Sequence, residues 1–311
     1  MRLIVRPGLQ VLRRDVRTLQ LGLDWPGVTS VPDSPALQAA LAAIDGCRDV
    51  DQVVARAVGL AGVEKREVVA ALDVLIACGA VVDQAKTRRS MVSEQTWAAL
   101  WLLAGPERDP HDLLAARVSC AVDVRGSGLV ASEVRRGLVS SGLGGGNGGG
   151  SGGGRGSSSG ANRPVDVVVV AADNEPEREA ADSAMHRSLP HLWVWVREVV
   201  GVVGPFVMPG ETACLRCVDA AKTDLDAAWP TLVAATAARP LTAPACDQSL
   251  AALVAALAVH EVGVWASGLR PQSWGRVIEL PQGCGLIDSE VYEVHPRCGC
   301  GWAQWRDTMG A

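Results

Sequence analysis

The chain has 311 residues, 48% of them hydrophobic, with a formal net charge of −5 and a pI near 5.6. That length suggests about two domains with ample material for packed cores. The acidic balance argues against nucleic acid as a partner, since proteins that bind it present a basic field.

The opening residues, MRLIVRPGLQ, carry no long apolar segment of the secretory kind, so a cytoplasmic protein is expected. Residues 1–83 read as one small α+β domain. Short alternating runs at 9–12 and 19–21, separated by a polar stretch, give a hairpin pattern. A third strand is expected over residues 28–31, that is Val28, Thr29, Ser30 and Val31. Ser34-Pro35 supplies an N-cap and a first-turn proline for a helix through Ile44, and Asp49 caps a second helix through Ala57. A third helix is predicted over 64–78, with Val68, Leu72, Leu75 and Ile76 at helical spacing and Gly79 at its stop. An extended segment, 80–82, follows. The expected core positions are Val11, Leu21, Leu37, Val54, Leu72 and Leu75.

Residues 84–119 read as a connector whose short helix, 95–103, places Trp97 and Trp101 four residues apart on one face. Residues 120–311 form the second predicted domain. A strand at 121–124 runs into Gly126-Ser127-Gly128, and a helix is expected over 130–139. In residues 141–160, 12 of 20 are Gly and 5 are Ser. Nothing there is expected to bury surface, so a flexible insert is expected over 141–160. The apolar run 167–172, VVVVAA, reads as a buried parallel strand, with further strands at 193–196 and 201–208. The stretch 250–266 is the most apolar helix-like segment, and His260 and Glu261 interrupt it. A buried Ala-rich helix is expected there, with no membrane partner.

Nine cysteines, an odd number in a chain without a secretory signal, favour reduced thiols and metal ligation over disulfides. Cys214-x-x-Cys217 and Cys298-x-Cys300 are two close pairs. Their thiolates suit one closed, tetrahedral Cys₄ zinc site with a structural role. Gly126-Ser-Gly128-Leu-Val-Ala131 follows a strand and opens a helix, as a dinucleotide-type phosphate loop does. The acidic ribose contact that should follow about 20 residues on falls in the Gly/Ser tract and is missing, so the motif reads equally as a vestige of such a site. Asp173, ending the VVVVAA strand, stands where ligands bind in open α/β sheets. Alternatively, Asp173 or Asn174 caps a helix over 177–187. Cys246, just before a helix start, is a small side chain or a stabilised thiolate.

Residues 126–302 resemble the ThiF-like proteins, relatives of ubiquitin-activating enzymes. The loop 126–131, the segment Ala172-Asp173-Asn174, GPFVMPGETACLRC from Gly204 and HPRCGCGW from His295 carry that likeness. The wording CLRCVDAAKTDLDAAWP resembles the branch linked to ribosomally made, azoline-containing peptides. The N-terminal part, through RPGLQVLRRDVRTLQLGL, PDSPALQAALAAID and EVVAALDVLIACGAV, is similar to the PqqD-like precursor-recognition module, a winged helix-turn-helix. The whole resembles the leader-peptide-binding partners of YcaO cyclodehydratases. The resemblance implies a reduced Rossmann-like α/β domain behind a winged α+β domain. It also implies a precursor leader peptide and a YcaO-type enzyme as partners, with a homodimer left open. Peptide would add to the edge at 28–31, with the helix 64–78, including Val68, Leu72 and Leu75, as the other wall.

Active ThiF adenylating enzymes carry an acidic ribose contact, an arginine and a lysine between the glycine loop and the Asp-bearing strand. Here much of that interval is the Gly/Ser tract, and from the tract to the strand the basic residues are Arg155 and Arg163. A lone aspartate does not hold and polarise a triphosphate, because phosphoryl chemistry needs several charges placed together. Gly126, Gly128, Ala131 and Asp173 are therefore expected to form a vestigial nucleotide site. The two rivals to a recognition scaffold are an ATP-dependent adenylyltransferase and a winged-helix DNA binder. The second fares poorly, since residues 1–90 hold 12 Lys/Arg against 10 Asp/Glu.

Overall fold

The computed structural model describes residues 1–23, 29–87, 92–143, 164–237, 245–282 and 287–301. The chain divides into two compact units, Met1–Leu114 and Ala115–Ala311.

The first unit opens with β1 (Leu3–Val5), β2 (Val11–Arg13), β3 (Thr18–Leu21) and β4 (Thr29–Pro32). Then come α1 (Pro35–Ala43), α2 (Val50–Ala61), α3 (Lys65–Ala77), β5 (Val81–Asp83) and α4 (Glu94–Ala104). Strands β2, β3 and β4 form an antiparallel sheet in that order, and β5 returns to pair with β1. The third strand begins at Thr29, and Val28 lies outside the described residues.

The caps act as the sequence predicts. Ser34 Oγ accepts the Leu37 N–H at 3.1 Å, and Asp49 and Gln52 form a reciprocal capping box. The second helix continues past Ala57 until Gly62, at φ 63°, ends it. Leu21, Leu37, Val54, Leu72 and Leu75 are buried together, with Val11 half-buried against them. Each fully buried aliphatic side chain of this kind contributes roughly 1.5–3 kcal/mol. Trp97 and Trp101 are both buried and meet edge to face, 6.1 Å between centroids. Helix α5 (Pro110–Ser119) carries the chain across the division between units.

The second unit runs β6 (Val122–Arg125), α6 (Leu129–Ser140), β7 (Val167–Ala172), α7 (Asp182–His186), β8 (His191–Arg197) and β9 (Val200–Val207). It continues with α8 (Leu215–Leu225), α9 (Trp229–Ala237), α10 (Gln248–Ala266), β10 (Arg276–Pro281) and β11 (Asp288–Val291). Six strands form one sheet, ordered β11-β10-β9-β8-β7-β6. Strands β6, β7 and β8 are parallel, and the pairs from β8 to β11 are antiparallel. This is the α/β class expected, with a mixed sheet.

Strand β7 explains why its sequence is continuously apolar. Val167, Val169 and Ala171 enter the core shared with α6 and α10, whereas Val168 and Val170 enter a second core with Trp193, Trp195 and Val218. A strand covered on both faces has no polar side to alternate with. Helix α10 is long and apolar enough to cross a membrane by composition alone. Here it packs on α6, β8 and β9, burying Leu250, Val254, Ala258 and Val262. The expected insert at 141–160 is corrected at its start: after α6 the chain turns at Ser141, and Leu143, the one apolar side chain of the tract, is buried in the same core. The rest of the Gly/Ser tract, 144–160, lies outside the described residues.

Candidate metal centre and glycine loop

Cys214 is the N-cap of α8 and Cys217 lies in its first turn. Cys298 and Cys300 arrive from the segment after β11, in and beside a short 3₁₀ turn over Gly299–Gly301. The four Sγ atoms lie within 4.8 Å of one another. Cys214 and Cys217 are 3.8 Å apart, Cys214 and Cys298 3.6 Å, and Cys217 and Cys300 3.3 Å. A tetrahedral ion with metal–sulfur bonds of about 2.3 Å has ligand edges of about 3.8 Å. The four thiols fit one metal ion.

The electrostatics agree. Hydrogen bonds from Cys214, then Cys300, pull the Cys217 thiol down to about 2, whereas the Cys214 thiol is pushed far up by its hydrogen bonds to Cys217 and Cys300 and by burial. Four thiolates this close repel one another, so a full ligand set needs a cation among them. Outside the cluster, Asp224 of α8 accepts His295 Nε2 at 2.9 Å and pairs with Arg297. The two sulfur-bearing segments are therefore also joined by an ion pair. His295, whose Nδ1 also accepts the Arg297 N–H at 3.2 Å, orients this knuckle; only its place just before Cys298 could have signalled that.

The glycine loop links β6 to α6. Gly126 has φ 106°, and a Cβ there would stand 1.9 Å from the Ala171 carbonyl oxygen. Gly128, the N-cap of α6, has φ 95°, and a Cβ there would stand 2.2 Å from Asp173 Oδ2. Asp173 places both carboxylate oxygens on the helix start, accepting from Leu129 N–H at 2.6 Å and Val130 N–H at 2.8 Å. The expectation that Asp173 or Asn174 caps the helix after β7 is corrected. Asp173 caps α6 instead, and residues 178–186 fold as a 3₁₀ turn followed by α7 without a side-chain cap. The reason is spatial: parallel pairing of β6 and β7 sets their C-terminal ends side by side. Ala131 is fully buried under the loop. Arg135 Nη2 donates to the carbonyls of Val124 and Gly126, each at 2.8 Å. The Cys246 thiol is pushed up to about 11 by burial, then by Asp173 and Asp247, so it is held as the neutral thiol and not as a stabilised thiolate.

Beside the loop lies a charged network that the sequence reading missed. Glu175, buried, accepts Trp195 Nε1–H at 3.2 Å and pairs with Arg178 at 2.7 Å. Arg178 forks onto both oxygens of Asp219 at 2.7 and 2.8 Å, which also accepts Trp229 Nε1–H. Burial alone would lower the Arg178 guanidinium, and the Asp219 and Glu175 pairs raise it instead.

In the first unit, Thr29 and Ser30 are exposed on β4, an edge strand, and Val31 is buried. Val68, Leu72 and Leu75 are also buried, in the core that Val31 joins. The exposed large apolar side chains of α3 are Val69, Val74 and Ile76.

No protein-family model and no curated protein matches the chain. Solved structures do. A heterocyclase in complex with substrate and cofactor aligns with a TM-score of 0.67 at 18% identity, covering 96% of this chain and 39% of the other. The heterocyclase TruD aligns at 0.66 and 19%, covering 99% and 44%. Escherichia coli MccB with AMPCPP and MccA aligns at 0.65 and 13%, covering 97% and 99%. The chain thus spans about two fifths of the two heterocyclases and nearly all of MccB. At these identities the likeness shows the fold alone, an α/β architecture shared with these heterocyclases and with MccB.

Proposed function

We propose that this protein is a leader-peptide-binding scaffold that presents a ribosomally made precursor peptide to a YcaO-type cyclodehydratase for azoline formation. The observation that carries this reading is the likeness to heterocyclases, one bound to its substrate, over 96–99% of the chain and so over both units. MccB, similar over the same span, is known in complex with MccA. The first unit is read as a PqqD-like winged helix. Its β4 edge has exposed residues at Thr29 and Ser30 and no donor at Pro32, so an incoming strand would pair with the backbone of residues 29–31. Val69 and Ile76 border the buried stripe of Val68, Leu72 and Leu75 on α3, and they are the side chains proposed to receive the peptide's apolar residues. The Cys₄ cluster is read as a structural zinc site, which all four thiolates and no open position suit.

An ATP-dependent adenylyltransferase is the second reading, favoured by the likeness to MccB, which is known with ATP. Reconstitution separates the two. The partner YcaO enzyme, its precursor peptide and ATP should yield peptide lacking one water per ring only when this protein is added. Pyrophosphate exchange by this protein alone would instead support adenylation.

A further inference from the structure

The sequence presents residues 126–131 as a phosphate loop, and the α6 N-terminus is where a phosphate would be received. In the folded chain that place is taken. We propose that residues 126–130 and Asp173 form an internal latch, in which the chain's own carboxylate occupies the phosphate position and no nucleoside triphosphate binds there. The inference is independent of the peptide-binding reading.

Three observations carry it. First, the two leading N–H groups of α6 donate to the two oxygens of one carboxylate, at 2.6 and 2.8 Å. A phosphate would have to displace Asp173, or share the helix end with a like charge at contact distance. Second, each glycine has a complete explanation without a ligand. Gly126 lets the loop pass against the Ala171 carbonyl, and Gly128 leaves room for the Asp173 carboxylate itself. A glycine needed for the close approach of pyrophosphate would leave open space above it, and here both spaces are filled by β7 and the residue after it. Third, neighbouring arginines are committed inward. Arg135 holds the loop's own carbonyls, and Arg125 binds Asp123, the Ala180 carbonyl and Ser183. The loop surroundings are also negative enough for Asp173 and Asp247 to help raise the Cys246 thiol. The loop therefore joins β6, α6 and β7 as a clamp between parallel strands.

The test uses the full chain with MgATP as the probe. Calorimetric titration of the unmodified protein should give no saturable binding up to about 1 mM nucleotide. Thermal unfolding of Asp173→Ala should fall by about 2–8 °C, as expected when a helix loses a capping carboxylate. Asp173→Asn, which keeps one acceptor oxygen, should fall by a smaller amount, and it carries the test if the Ala variant does not fold. Gly128→Ala should cost less in the Asp173→Ala background than in the natural chain, because its added methyl group meets that carboxylate. Saturable MgATP binding at micromolar concentration would overturn the latch. So would an Asp173→Ala protein that melts with the natural one, or strictly additive effects of the Gly128 and Asp173 changes.

Discussion

The cysteine cluster and the glycine loop both sit in the second unit, and both look like ligand sites in the sequence. The cysteine pairs, more than 80 residues apart along the chain, converge into a tetrad with room for one ion. The glycines converge on the protein itself. The difference lies in how many physical reasons each residue type has. Four thiols within 4.8 Å of one another have few explanations besides a metal. Glycine in the left-handed region has several, of which contact with a ligand is one and contact with the chain's own backbone another.

Breaking the metal side of this comparison should have the largest effect. Cys217→Ser leaves an incomplete ligand set in a closed site, where zinc binding in small domains is worth about 10–16 kcal/mol. Metal analysis should find about one zinc per natural chain and under about 0.2 in the variant, and the second unit should lose about 4 kcal/mol or more. A natural chain purified without metal, and as stable in chelator as before, would remove the contrast. Gly126→Ala comes next. Its methyl group must displace the Ala171 carbonyl and hold a residue with a Cβ at φ 106°, a cost of about 3 kcal/mol measurable by denaturant unfolding. Loss of Asp173 ranks third, at about 1–2 kcal/mol for a capping carboxylate. Shortening the Gly/Ser tract within 146–158 should rank last. Those residues offer no apolar side chain, and halving a loop changes closure by only about 0.6 kcal/mol. A melting temperature that drops sharply on shortening would mean the tract is ordered and packed.

The sequence was legible where local chemistry determines the outcome. Ser34 and Asp49 announce their helices because a cap bonds within its own turn. VVVVAA announces a doubly covered strand because no polar face interrupts it. What was not legible depends on partners far along the chain. Strand β1 is three residues long between arginines and is defined by β5, about 80 residues later. Asp173 reaches N–H groups 43 and 44 residues before it, so its sequence neighbours pointed to the wrong helix. Strand β11 is wholly exposed and has no buried face to betray it. The stripe Val68, Leu72 and Leu75 was read correctly as one helix face, but spacing alone does not distinguish a face that builds the core from one that lines a groove.

On the proposed reading the first unit captures peptide without nucleotide, and a binding titration tests this. Full-length protein is titrated into fluorescently labelled leader segments of candidate precursor peptides, with and without MgATP, and anisotropy is followed. A strand added to an edge must be ordered as it binds, so a Kd in the micromolar range or somewhat tighter is expected, about −8 kcal/mol. Binding should be unchanged by MgATP and weakened at least tenfold by Ser30→Pro in a variant that melts with the natural protein. No binding of the leader by folded protein, together with tight binding of duplex DNA at physiological salt, would contradict the account.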